Sequence, residues 1–298
     1  MKIGFAVPTM GAWATPANQV AVARRAERLG YHSLWTLQRL LTTEATPAYR
    51  NAADPVVTLA YLAGQTSRVR LGVAVLNMPF FSPALLAKQT ATLDQVSGGR
   101  LDLGLGLGWQ IEEYAASGVP YQQRGKRAEE YLKVLRALWT QDVAHFDGEF
   151  YRVPPARLEP KPIQRPHPPL LLGGSAERAL KRAGRLADGW VSSSTADLTR
   201  IGEAIEVVRA AAREAGRDPA TLRFVCRGVV RVGEPGGEER RPLTGSLEQI
   251  RQDLPVLAAQ GVTELFYDLN FDPRVAAIDA DPAASLRYAE EVMEALAP

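Results

Sequence analysis

The 298-residue chain reads as an α/β protein, a (β/α)8 TIM barrel with an insertion between its fourth and fifth units. Three observations predict this. Short apolar runs alternate with amphipathic helical segments almost from end to end, the signature of a parallel sheet. Eight such pairs fit the size at which parallel strands close into a barrel, about 250 residues. The loop after the first strand, AVPTMGAWATP, has neither GxGxxG nor a Walker pattern, which a doubly wound open sheet would normally carry there.

The elements follow in order. KIGFAV (2–7) is the first strand, and the helix after it runs from Pro16 to about Leu29. Proline stands in its first turn and Gly30 just past its end, the expected start and stop chemistry. SLWTL (33–37) pairs with a helix near 55–66, VRLGVAVL (69–76) with 83–96, and RLDLGLGL (100–107) with 124–140. PLLLGG (169–174) precedes a helix near 175–187, DGWVSS (188–193) one near 198–215, RFVCRGVV (223–230) one near 247–260, and TELFYDL (263–269) one near 283–296. All of 1–298 is read as one domain. Residues 141–169 hold seven prolines and no helical period, which suits neither a helix interior nor a central strand. They form an irregular excursion with a short hairpin around Asp147-Gly148, a candidate lid or a plain structural loop.

Composition bounds the function. The chain is 46% hydrophobic and 23% charged with a formal net charge of +2, so it has no electrostatic footprint for nucleic acid or an anionic membrane. Its apolar runs fall far short of the roughly 20 residues of a membrane span. The start, MKIGFAVPTMGAW, lacks the apolar core and cleavage site of a secretory leader, and a cytoplasmic location is expected. Cys226 is the only cysteine, so no internal disulfide can form; in a strand-like run it reads as a buried inert thiol. His32, His145 and His167 show no metal-ligand spacing, and no metal is expected.

RLDLGLGLGW (100–109) puts leucine and non-leucine in strict alternation. Leu101, Leu103, Leu105 and Leu107 make a helix-facing stripe, leaving Asp102, Gly104, Gly106 and Gly108 toward the barrel interior. Glycine weakens a strand unless something must come close. A slot for a planar cofactor is one reading; filling by large neighbours such as Phe5 or Trp35 is the other. A second signal is LLLGGSAERALKRAGRLADGW, in which Gly173-Gly174 and Ser175, placed as an N-cap, open a helix. Free N–H groups and the positive dipole end make such a junction an anion site. Arg178, Arg182 and Arg185 follow on one helix face, either solvated or attracting a polyanionic cofactor tail.

VRLGVAVLNMPFFSPALLAKQTATLDQVSGGRLDLGLGLGW, then RGKRAEEYLKVLRALW, then the GGS segment resemble the bacterial luciferase-like oxidoreductase (luciferase-like monooxygenase) family over nearly the whole chain. The closest look is to the branch using the deazaflavin coenzyme F420; FMN-using members share these motifs. The resemblance implies a non-proline cis peptide at Ala74–Val75 that backs the central ring of the cofactor, with Asn77 able to hydrogen-bond the ring edge. It implies that Gly106, Gly108 and Trp109 form the loop beside the ring and that Gly173, Gly174 and Ser175 bind phosphate. It also implies a homodimer through the helices after the second and third strands.

The chain departs from the pattern where many relatives carry an acidic residue and histidine after the second strand, since Gln38-Arg39 stands there. Trp109 occupies the place of a catalytic glutamate found in some relatives. No titratable base transfers, and Gln38, Arg39 and Trp109 remain weak catalytic candidates; Glu112 and Glu113 read as a solvated helix start. The expected reaction is hydride transfer between F420 and a small organic substrate, which needs stacking of donor and acceptor more than an acid or base. An FMNH2-dependent monooxygenase served by a separate flavin reductase is the alternative. A non-catalytic flavin-binding protein is the alternative from another class.

Overall fold

In the computed structural model, which describes residues 1–237 and 239–298, eight parallel strands close on themselves in chain order. They are β1 (Lys2–Ala6), β2 (Ser33–Thr36), β3 (Arg70–Asn77), β4 (Leu101–Gly106), β5 (Leu170–Gly173), β6 (Gly189–Val191), β7 (Arg223–Val229) and β8 (Glu264–Asp268). Closure is made by β1 against β8, with Ile3 opposite Leu265 and Phe5 opposite Tyr267. Eight main helices surround them: α1 (Pro16–Arg28), α2 (Pro55–Ala63), α3 (Pro83–Val96), α4 (Arg124–Thr140), α5 (Glu177–Leu186), α6 (Ile201–Glu214), α7 (Leu247–Ala259) and α8 (Pro282–Ala295). The expected barrel is thus found, and the boundaries shift by a few residues at most helix ends.

Local chemistry explains the starts. The Thr15 side chain accepts the Asn18 N–H at 3.2 Å and Pro16 occupies the first turn of α1, while Gly30 sits at φ +84° beyond its end. Asp54, Ser82 and Asp281 cap α2, α3 and α8 in the same way, each followed by proline. Ser246 and Gln249 form a reciprocal capping box on α7.

Strand alternation divides the side chains into two cores. Phe5, Leu34, Leu71, Leu101, Leu103 and Leu105 face the helices in the large outer core. A smaller inner cluster holds Ala6, Trp35, Ala74, Leu171, Val191, Val225 and Phe266, with the Trp35 and Phe266 rings stacked at 5.2 Å. Trp35 therefore fills the lumen, and Phe5 does not; it meets Tyr31 edge-on outside the barrel. A Cβ on Gly72 would lie 2.5 Å from the Trp35 ring, so that glycine is what admits the indole.

Residues 141–169 pair Ala144–Asp147 with Arg152–Ala156 as an antiparallel hairpin. The segment is pinned to the flank and foot of the barrel: Glu130 accepts the Phe150 N–H, Lys161 donates to the Leu138 carbonyl at 2.7 Å, and the Gln164 amide group donates to Asp94 and to the Leu101 carbonyl, both at 2.7 Å. These anchors lie away from the C-terminal strand ends, so the excursion is a brace and not a lid.

The foot is closed by charge. Asp102, fully buried, accepts from Arg70 Nε and Nη2 at 2.8 Å and from Arg223 Nη1 at 2.6 Å; Arg223 Nη2 continues to Glu264 at 2.8 Å. Burial alone would raise the Asp102 carboxyl, but the hydrogen bonds and charges of Arg70 and Arg223 outweigh it and hold the group below the usual carboxylate range. A depressed folded-state value contributes stability above the unfolded value, near pH 4, and that stability is lost as pH falls through the folded value. Asp102→Asn is expected to destabilise the protein at pH 7 by about 3 kcal/mol, since it removes the buried carboxylate charge that Arg70 and Arg223 share. Its melting temperature should also depend less steeply on pH below about 4 than that of the parent. Thermal melts of both proteins across pH 2–7 check this.

Candidate active site

The C-terminal ends of the strands form the mouth, the face on which barrel enzymes carry their chemistry. Its floor is shaped by one irregularity. Val73 pairs with Leu103 but Leu76 with Leu105, so β3 carries one residue more than β4 there, a β-bulge. The Ala74–Val75 peptide within it is cis, as the resemblance implied. Val75 is thereby placed over the glycine face: a Cβ on Gly106 would lie 2.4 Å from Val75 Cγ2, and one on Gly104 or Gly173 would lie 3.3 or 3.0 Å from Cγ1. The face is not an empty slot. It houses Val75, whose half-buried side chain becomes the surface presented to the mouth.

Asn77 follows the bulge. Its backbone N–H is taken by the Gln38 side chain at 2.7 Å, which fixes the strand end and assigns Gln38 a positioning role. Asn77 is buried, yet among the described residues its carboxamide has no hydrogen-bond partner. It lies by Gly106 and by Gly108, which takes φ +72°; a Cβ on Gly108 would come within 3.3 Å of the carboxamide carbon. Val75, Asn77, Gly106 and Gly108 are thus brought together around one unspent amide.

Across the lumen Arg227 points inward from β7. Its Nε donates to Asp268 at 2.6 Å, and its terminal nitrogens have no hydrogen-bond partner among the described residues. Asp268 is fixed in turn by the Asn270 backbone and side-chain N–H groups, both at 2.9 Å. Ser192 accepts the Arg227 backbone N–H. The β-period of RFVCRGVV puts Arg227 on the same face as the lumen residue Val225, a signal present in the sequence.

Arg39 and Glu113 form a buried pair, and Glu113 corrects an expectation. Arg39 Nη1 donates to Gln110 at 2.9 Å and stands 3.3 Å from Glu113. Glu113 is not solvated at all. It is fully buried and accepts the Leu40 and Leu41 N–H groups at 2.8 and 3.1 Å. A stranded buried carboxylate would cost several kcal/mol, so the two residues depend on each other. Trp109 reaches Arg39 rather than the bulge, its ring 4.8 Å from the guanidinium carbon, and is 57% exposed. Glu112 is exposed, as expected of a solvated helix start.

The GGS turn leaves β5 with Gly174 at φ +131°, and its carbonyl accepts Trp190 Nε1 at 2.8 Å. Ser175 is not the N-cap. Ala176 holds that position, with no side-chain cap, so the exposed backbone N–H groups that begin α5 stay free for an anion. Arg178 is exposed, whereas Arg182 is buried and pairs with Glu129 at 3.4 Å; Arg185 meets the same carboxylate at 2.7 Å.

Other features are quiet. Burial pushes the Cys226 thiol up to about 12, an inert group as expected. Clefts of about 460 Å³ lie beside Arg240 and between α3 and the hairpin, but neither touches a strand end of the mouth. Among the described residues no cluster of three or more histidine, cysteine or acidic side chains is placed to hold a metal, and no helix is long and apolar enough to cross a membrane.

The family model described as luciferase-like monooxygenase matches residues 1–292. An uncharacterised protein of Mycobacterium tuberculosis is 36% identical over 233 residues, 73% of this chain and 80% of that protein. The FMNH2-dependent dimethylsulfone monooxygenase of Pseudomonas putida is 36% identical over 198 residues, 65% of this chain but only 53% of the enzyme. Among solved structures, an F420-dependent secondary alcohol dehydrogenase bound to an F420–acetone adduct superposes with a TM-score of 0.78 at 19% identity, covering 99% of this chain and 98% of that one, a likeness of fold. Bulge, glycine face and open anion turn accord with the sequence match: the chain belongs to the luciferase-like monooxygenase family.

Proposed function

We propose that the chain is an F420-dependent oxidoreductase that moves a hydride between the deazaflavin and a small organic substrate at the mouth. The residues present fit such a cofactor. The unspent Asn77 carboxamide suits a ring edge with donors and acceptors, Val75 offers an apolar backing, and the free N–H groups of the 174–177 turn suit a phosphate. When bound, F420 supplies the carbon that gives or takes the hydride. The chain's own part is to position: Gln38 fixes Asn77, Asp268 fixes Arg227, and Trp190 fixes Gly174. Arg227 can orient an oxygen of the substrate through its free N–H groups.

The observation that favours F420 over FMN is the charge beside the turn. Arg182 and Arg185 share the single carboxylate of Glu129, Lys181 pairs with Glu177, and exposed Arg178 has no carboxylate partner among the described residues, a positive excess suited to a polyanionic tail. The second reading, an FMNH2-dependent monooxygenase served by a flavin reductase, is favoured by the Pseudomonas putida relative. Fluorescence titration of the purified apo-protein with each cofactor separates them. F420 is expected to bind at least about tenfold more tightly, a difference of about 1.4 kcal/mol; nanomolar FMN binding with no F420 binding defeats the first reading. Trp190→Phe, which removes one hydrogen bond from the turn and some volume from the core, should weaken whichever cofactor binds by roughly threefold to tenfold and lower the melting temperature by a few degrees.

We also infer a homodimer through α2 and α3. These neighbouring helices leave Val57, Tyr61 and Leu85 exposed, apolar surface that a second copy would cover. Sedimentation velocity should give twice the chain mass, and Val57→Glu with Leu85→Glu should halve it; a monomeric parent defeats the inference.

A further inference from the structure

Five side chains from four elements of the mouth stand in one continuous series. The Arg39 guanidinium carbon lies 4.8 Å from the Trp109 ring and 4.3 Å from the Tyr49 ring. Tyr49 meets Phe271 edge-on at 6.1 Å, and the Arg227 guanidinium carbon lies 5.0 Å from Phe271. Each arginine is held by a fully buried carboxylate, Arg39 by Glu113 and Arg227 by Asp268. The series runs from the loop after β4, through the loop after β2 and the loop after β8, to the lumen face of β7. No hydrogen bond joins Tyr49 to Phe271 or Trp109 to Arg39; cation–π and edge-to-face contacts link the parts.

The two cations also keep hydrogen-bonding capacity in reserve. Arg39 donates to Gln110 through Nη1, whereas its Nη2 and the terminal nitrogens of Arg227 have no hydrogen-bond partner among the described residues. Donors left unmade beside the mouth are available to an acceptor on a bound molecule. Aromatic faces alternating with unspent planar N–H donors complement a flat molecule that carries oxygen at its edge. A saturated chain satisfies neither the faces nor the donors.

Resting on the reading of the mouth as the active site, we propose that Trp109, Arg39, Tyr49, Phe271 and Arg227 form its substrate-side wall. This wall selects planar, oxygen-bearing organic substrates, with Glu113 and Asp268 as positioning residues. Substrate choice then resides in residues that carry no acid–base duty. Arg39 is a specificity residue, and Glu113 acts only through it.

Two acids of similar size and equal charge test this. Benzoate is flat and cyclohexanecarboxylate is not, and binding of each is measured by calorimetry with and without the bound cofactor. Iodide quenching reports the wall itself, because Trp13, Trp35, Trp139 and Trp190 are buried and Trp109 alone is exposed. Benzoate is expected to bind at least about tenfold more tightly than its saturated counterpart and to screen Trp109 from iodide. Arg39→Met should abolish the preference and raise the quenching constant at least about twofold, and Glu113→Gln should fall between parent and Arg39→Met. If Arg39→Met does not fold, Tyr49→Leu, on a half-buried side chain, must show the same loss. Equal affinities, no binding of either acid, or a preference that survives these substitutions overturns the proposal. Failure of F420 and FMN to bind, with the benzoate preference intact, overturns the cofactor assignment alone.

Discussion

The fit of Val75 against three glycines is the constraint on which the mouth depends. An ordinary barrel fills this level with branched side chains from alternate strands. Here β4 and β5 contribute no side chain at all at Gly104, Gly106 and Gly173: the Val73 carbonyl would lie 2.2 Å from a Cβ on Gly104, and the Val75 side chain takes the space beside Gly106 and Gly173. The arrangement is mutual: the bulge has nowhere to go without the glycines, and the glycines would leave a void without the bulge. Dense packing makes such a site nearly indifferent to solvent but intolerant of an added methyl group. Its result is a smooth apolar floor with one polar group beside it, the Asn77 carboxamide, on a strand end that Gln38 holds through the Asn77 backbone N–H.

Charge is distributed along the barrel axis with a clear division of labour. At the foot, Asp102, Arg70, Arg223 and Glu264 satisfy one another and close the lumen. At the mouth the acids are equally buried, but each arginine keeps part of its donor set unspent. The foot network is spent wholly on stability, whereas the mouth pairs hold cations in fixed places at the cost of unfilled valence. Guanidinium donors held in place yet unspent at the mouth are available to an acceptor on a bound molecule.

Much of this was legible in the sequence because it rests on periodicity. Eight strand–helix pairs announce the barrel, and the leucine alternation in β4 announces which side faces the helices. What occupies the glycine face was not legible, because the answer sits on another strand. Nothing in RLDLGLGL says that Val75 rather than a ligand approaches it, and only the family resemblance pointed to Ala74–Val75. Ser175 misled for a local reason: a serine before a helix resembles a cap, but Gly174 at φ +131° turns the chain so that Ala176 takes the position. Glu113 misled for a tertiary one. Its burial comes from Arg39 and from the backbone of Leu40 and Leu41, some 70 residues away. Arg227 is legible from the period of two, because it shares a strand face with the lumen residue Val225.

The absence of an acid–base pair at the expected positions acquires a physical sense from the same geometry. Where relatives in the resemblance carry a carboxylate and an imidazole, this chain has Gln38, occupied with the Asn77 N–H, and Arg39, bound to Glu113. Neither can exchange a proton near neutral pH: an amide does not titrate there, and a guanidinium does not deprotonate. A reaction that required proton transfer from these positions would be disabled. One that transfers a hydride between stacked partners would not, because its barrier responds to distance and alignment. Both replacements serve alignment. Gln38 holds the strand end through the Asn77 N–H and Arg39 is held by Glu113, so both side chains are occupied with placement.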